Sequence, residues 1–169
     1  KEAELLAKGL PAGPGGGVGQ VVFSADTAEE WAKKGLDVIL VRNETSPEDV
    51  HGMHAAKAIL TAKGGMTSHA ALVARGWGKC CIVGCSILQI NYTDNQMLIN
   101  DEIIKEGDWL TLNGSTGKVY KGQLSLIEPD LSSNKYYGIL MEMTNSVKRL
   151  GIRANAESPN DAKQAREFG

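Results

Sequence analysis

The sequence contains no apolar run that approaches the roughly 20 residues needed to span a bilayer, and its first ten residues, Lys1 to Leu10, lack the apolar core of a secretory signal. A secreted or membrane-embedded chain is therefore not expected; the cytoplasm or the interior of a plastid or other organelle is. Neither sign of charge is in surplus. With 18 basic against 20 acidic residues, no basic field argues for nucleic acid or an anionic membrane as a partner. Only two Phe are present, too few for a base-stacking surface. Cysteine is scarce and poorly placed for cross-links: Cys80, Cys81 and Cys85 crowd into one apolar stretch, where small secreted folds spread an even number along the chain. They read as buried free thiols of a reducing compartment, and their spacing lacks the matched pairs of a zinc site. His51 and His54 could share a helix face and bind metal, but no carboxylate or thiolate partner is evident. They read as helix-surface residues, and no metal site is assigned.

What is present is enough to build a core. A chain of 169 residues, 42% of them hydrophobic, suits one domain plus attachments. Glu2 to Lys8 reads as a short helical tail, broken by Gly9 and the glycine-rich stretch from Pro11 to Gly19. Regular structure is expected after it: a strand over Gln20 to Ser24, a helix over Thr27 to Lys34 with Thr27 as its cap, and a buried strand over Asp37 to Val41. Ser46 then starts a helix, with Pro47 at the first helical position and Glu48 and Asp49 facing the positive end of its dipole. That helix runs to about Ala56 and precedes a strand over Ala58 to Ala62. A further unit follows, with a turn over Lys63 to Met66, a helix over Ser68 to Arg75 and a strand over Cys81 to Val83.

Short apolar strands alternating with helices predict an α/β fold whose parallel strands are joined by right-handed crossovers. Met97 to Asn100 adds a strand, and Trp109 to Lys121 reads as an antiparallel hairpin, so the sheet is mixed. Ser125 to Lys135 reads as a connector, Tyr136 to Leu150 as a helix, Gly151 to Ala156 as a strand, and Ser158-Pro159 as the start of a capped helix reaching Phe168. A lone strand and helix bury too little surface to fold alone, so residues beyond about 125 are expected to be poorly ordered or loosely docked.

The residues that carry chemistry run from Gly64 to Arg75, Gly-Gly-Met-Thr-Ser-His-Ala-Ala-Leu-Val-Ala-Arg. Gly64 and Gly65 let the backbone turn sharply and come close to an anion, and Thr67 or Ser68 caps the helix that His69 begins. A phosphate on the His69 ring would meet amide donors, hydroxyl donors and the positive end of a helix dipole. Free imidazole titrates near about 6.5, so much of it is a neutral nucleophile at pH 7. Its phosphorylated form is a reactive phosphoramidate, suited to relay where phosphoserine is not. A lone histidine is by default an ordinary helix residue; the glycine pair, two hydroxyls and capped start shift the reading toward function.

Gly64 to Arg75, with Glu44-Thr-Ser-Pro-Glu-Asp-Val50, Gly52-Met-His-Ala-Ala56 and Gly76-Trp-Gly-Lys-Cys-Cys81, resembles the phosphohistidine signature of the phosphoenolpyruvate-utilising enzymes, and its dikinase branch in particular. Gly9-Leu-Pro-Ala-Gly-Pro-Gly and Gly151-Ile-Arg-Ala-Asn-Ala-Glu-Ser-Pro159 extend the resemblance over nearly the whole chain. It implies a swivelling β/β/α phosphohistidine domain over residues 10–123, preceded by a linker or helical tail over 1–9 and followed by a helical linker over 124–150 and the start of a barrel domain over 151–169. It also implies that His69 takes a phosphoryl group from ATP, with phosphate consumed and AMP and pyrophosphate released, and relays it reversibly to pyruvate to form phosphoenolpyruvate. The fragment alone would lack full turnover.

Further expectations come from the same resemblance. The partners would be an ATP-grasp nucleotide-binding domain and a phosphoenolpyruvate/pyruvate barrel of the same chain, in a homodimeric parent whose other domains hold magnesium. No cofactor is expected in this part. Gly64, Gly65, Thr67 and Ser68 would steady the phosphate, Thr67 would be a regulatory phosphorylation site for a kinase and phosphatase, and Arg153 would match a substrate-binding arginine of the barrel. Two positions depart from the pattern: Ala58 stands where glycine is common, and Gly15-Gly-Gly17 where alanines are. Three other readings stay open: a non-catalytic phosphocarrier, the relay domain of a related synthase or enzyme I-like phosphotransferase, and a metal-binding protein using His51, His54 and the cysteines.

Overall fold

A computed structural model describes residues 3–126, 135–151, 153, 156 and 158–167. The chain divides into two compact units, Lys1–Leu126 and Ile127–Gly169. The first is organised by four parallel strands: β3 (Gly16–Val22), β4 (Val38–Arg42), β5 (Ala58–Thr61) and β6 (Cys80–Val83). They sit side by side in that order, with Val21 opposite Ile39, Leu40 opposite Ile59 and Ile59 opposite Cys81. Antiparallel strands β1 (Leu5–Lys8), β2 (Leu10–Gly13), β10 (Trp109–Asn113) and β11 (Lys118–Lys121) complete a mixed eight-stranded sheet in the order β1-β11-β10-β3-β4-β5-β6-β2. A separate antiparallel sheet holds β7 (Leu88–Asn91), β8 (Gln96–Ile99) and β9 (Glu102–Lys105).

The unbroken apolar run of β4 is explained by burial on both faces. Successive side chains of a strand point to opposite sides, so Ile39 and Val41 join Leu60, Ile82, Leu88, Met97, Ile99 and Ile104 in a core between the two sheets. Val38 and Leu40 join Ile59, Val83, Met53, Ala70, Ala71 and Ala74 in a second core, under the helices. The result is the β/β/α layering that the resemblance implies. The helices are α1 (Ala25–Lys33), α2 (Val50–Ala55) and α3 (His69–Gly76). Alanine on the inner face of α3 lets that helix lie close to the sheet.

Several boundaries differ from the sequence reading. Leu5–Lys8 is strand β1 rather than a helical tail, because pairing with Tyr120, Val119 and Lys118 satisfies its backbone and buries Leu6 and Ala7. Regular structure does not wait until after the glycine-rich stretch either: that stretch supplies most of β2 and the first half of β3, paired with β6 and β10. Helix α1 begins at Ala25 and is capped by Ser24, whose hydroxyl accepts from the amide of Thr27 at 3.0 Å. Pro47–Asp49 forms a 3-10 turn before α2, with Ser46 and Asp49 bonded reciprocally in a capping box. Strands β7 and β9 were not anticipated.

The thiols of Cys80, Cys81 and Cys85 are free and buried. Burial pushes Cys80 and Cys85 up to about 11 and Cys81, with Cys80 beside it, up to about 12. They remain protonated and unreactive at neutral pH.

The second unit carries helices α4 (Lys135–Val147) and α5 (Pro159–Glu167). The Ser158 hydroxyl accepts from the Asp161 amide at 3.2 Å, as its cap. The connector expected over residues 125–135 and the strand expected over 151–156 lie largely outside the described residues.

Candidate functional site

In a parallel sheet the strands leave their carboxyl ends on one edge, and crevices form there between the loops that follow. At that edge Glu44 and Thr45 follow β4, Thr61 ends β5, and Lys63 and Gly64 lead toward α3. These residues, with Ser68, His69 and Ala70 at the start of α3, line one cleft of about 260 Å³. His69 is therefore placed by the sheet: its helix starts where β5 ends.

Local bonds fix each wall. The Ser68 hydroxyl accepts from the Ala71 amide at 3.4 Å, closing the first turn of α3 from outside. Gly64 has φ of +95°, a conformation that side chains resist, and a Cβ there would lie 2.9 Å from that of Ser68. Gly65, by contrast, has no such φ and open space around it. The Thr61 hydroxyl donates to the Lys63 carbonyl at 2.7 Å, and the Lys63 amide donates to the Asn43 carbonyl at 2.9 Å. From the far side, Arg75 donates to the carbonyls of Ala71 and Met66, which clamps the loop before His69 onto α3.

The decisive contact is between Thr45 and the His69 ring. Thr45 Oγ1 lies 3.0 Å from His69 Nδ1. A hydroxyl oxygen can accept from Nδ1–H, which stabilises the tautomer whose Nε2 carries a free lone pair. In that tautomer one ring nitrogen is held by the protein and the other is left to react. The sequence reading missed Thr45, although it lies in the Glu44–Val50 stretch. It also missed Thr61, Lys63 and Glu44 as wall residues.

Of the residues singled out from sequence, Gly64, Ser68 and His69 meet in the cleft. Gly65 and Thr67 lie in the adjoining loop, outside the lining, and Thr67 is exposed. Arg153 is exposed and belongs to the second unit. His51 Nε2 lies 2.8 Å from Asp26 Oδ1, and His54 stands edge-on to Trp77, so the two histidines are engaged separately. Among the described residues no three His, Cys, Asp or Glu side chains gather as a metal site, and no helix is long and apolar enough to cross a membrane.

Comparison with known proteins gives a consistent picture. Residues 35–117 match the family described as PEP-utilising enzyme, mobile domain. Over 98% of its length the chain is 56% identical to a chloroplastic pyruvate, phosphate dikinase of Mesembryanthemum crystallinum, covering 17% of that protein. It is 55% identical to pyruvate, phosphate dikinase 2 of Oryza sativa subsp. japonica over 98% of this chain and 18% of the relative. It is also 55% identical to the chloroplastic enzyme of Flaveria pringlei, over 99% of this chain and 17% of the relative. The chain thus spans less than a fifth of the length of these relatives.

Proposed function

From the match of residues 35–117 to the PEP-utilising enzyme mobile-domain family, we propose that the chain belongs to that family and is the phosphoryl-relay part of a pyruvate, phosphate dikinase. The reaction of the parent would consume ATP and phosphate, release AMP and pyrophosphate while His69 is phosphorylated, and pass the group reversibly to pyruvate. The observation that carries the reading is the Thr45–His69 contact in a cleft at a helix start. The Nε2 lone pair attacks the donor phosphorus, the P–N bond forms as the donor P–O bond breaks, and the proton stays on Nδ1, hydrogen-bonded to the Thr45 hydroxyl oxygen. The amides of the first turn of α3 then face the new dianion. Return transfer reverses each step, with Nε2 as the leaving group.

Thr45 should therefore tune the rate without being the acceptor. Thr45→Val in the parent protein is expected to slow phosphorylation of His69 about three- to tenfold, the worth of one hydrogen bond, whereas Thr45→Ser retains it. Rapid-quench labelling measures both. Equal rates for Thr45→Val and the parent would remove the tautomer argument.

The rest of the reading concerns parts beyond this chain. An ATP-grasp domain and a barrel would alternately meet the cleft, with connectors outside the folded unit acting as hinges and the parent forming a homodimer. Residues 124–150 would be linker and 151–169 the start of the barrel, where Arg153 would touch substrate phosphate. Magnesium would accompany the nucleotide and be held by those other domains. The chloroplastic relatives favour a plastid, with the cytoplasm as the alternative. Thr67, exposed two residues before His69, would be the regulatory site: its phosphate would repel an incoming nucleotide phosphate. A Thr67→Val parent treated with a cognate kinase should keep its activity, and inactivation of that variant would move the switch elsewhere.

A further inference from the structure

Resting on the phosphohistidine reading, we infer that Lys63 is the cation that holds the phosphoryl group on His69. The need follows from charge. A protein-bound phosphoryl group carries about −1.5 to −2 at neutral pH, while the start of a helix supplies only about +0.5. The cleft contains two charged side chains, Lys63 and Glu44, and Glu44 adds to the negative side. Without Lys63 the phosphorylated cleft would have no full positive charge to set against it.

The structure presents Lys63 for this task. Its backbone is held by three bonds: the amide to the Asn43 carbonyl at 2.9 Å, and the carbonyl from Thr61 Oγ1 at 2.7 Å and from the Gly84 amide at 3.3 Å. The Cα is therefore fixed on the cleft wall, and only the flexible side chain has to move. Lys63 is the one lysine among the residues lining the cleft; Lys33, Lys34, Lys57 and Lys121 pair with carboxylates elsewhere, and Lys79 donates to the carbonyls of His54 and Ala56. Lys63 makes no ion pair with an acid among the described residues, and it is exposed. A lysine suits a group that must leave again, because its ammonium is a mobile point charge rather than a bidentate fork.

The test uses the full-length parent with phosphoenolpyruvate as the phosphoryl donor. Phosphorus NMR and acid-labile phosphate measure the share of chains carrying phosphohistidine at a fixed, limiting ratio of phosphoenolpyruvate to pyruvate. Lys63→Met, which keeps length and loses charge, is expected to lower the phosphorylated-to-free ratio about tenfold, the worth of a charge-assisted hydrogen bond. Lys63→Arg is expected to stay within about threefold of the parent, because charge is preserved. An unchanged ratio in Lys63→Met overturns the assignment, as does an equal loss in Lys63→Arg, which would make the effect one of shape. Absence of acid-labile phosphate from the parent with Lys63 intact would instead overturn the phosphohistidine reading on which the inference rests.

Discussion

His69→Asn in the parent protein should abolish acid-labile phosphate on the chain and, with it, turnover, a fall of at least about a thousandfold. Asparagine is close to histidine in size and tolerated at the start of a helix, so the Ser68 cap and the inner-face alanines of α3 are left in place. What disappears is Nε2, the atom left free when Thr45 holds Nδ1. An amide nitrogen has its lone pair delocalised and cannot take over as nucleophile. Incubation with ATP and phosphate, followed by acid and base treatment, separates phosphohistidine from phosphoserine and phosphothreonine. Acid-labile label that persists in His69→Asn would place the acceptor elsewhere and end the relay reading.

The second large effect concerns two positions that look unrelated in sequence. The resemblance leads one to expect glycine at position 58 and alanines within the stretch Gly15-Gly-Gly17. In the fold Gly17 and Ala58 face each other: a Cβ on Gly17 would lie 2.4 Å from the Cβ of Ala58, far inside van der Waals contact. With Ala58 in place there is no room for a methyl at position 17. Gly17→Ala alone is expected to destabilise the protein by about 1–3 kcal/mol through overpacking. In an Ala58→Gly background the same change should cost little, giving a coupling of about 1–2 kcal/mol. Urea denaturation of the four proteins measures it, and strictly additive midpoints would show that the two sites do not exchange volume.

That pair also shows what a sequence can and cannot display. The parallel core was legible because β4, β5 and β6 are buried on both faces and so read as unbroken apolar runs. The start of α3 was legible because a cap acts within three residues of itself. Local rules failed where distant partners decide the outcome. The residues of β1 are good helix formers, but β11, more than a hundred positions away, offers backbone pairing and a core face. The glycines of β2 and β3 resemble a linker because the close approaches they permit are tertiary. Thr45 carries no mark of its own; it becomes a partner of His69 only when β4 and β5 lie side by side.

The pairing of β1 with β11 bears on how such a body is carried within a longer chain. Leu5 stands opposite Tyr120, and the Lys121 amide donates to the Glu4 carbonyl at 3.0 Å, so the first and last strands of this unit lie side by side, about one strand spacing (~4.8 Å) apart. A host chain could accept this cassette at a single surface point with its own path almost undisturbed.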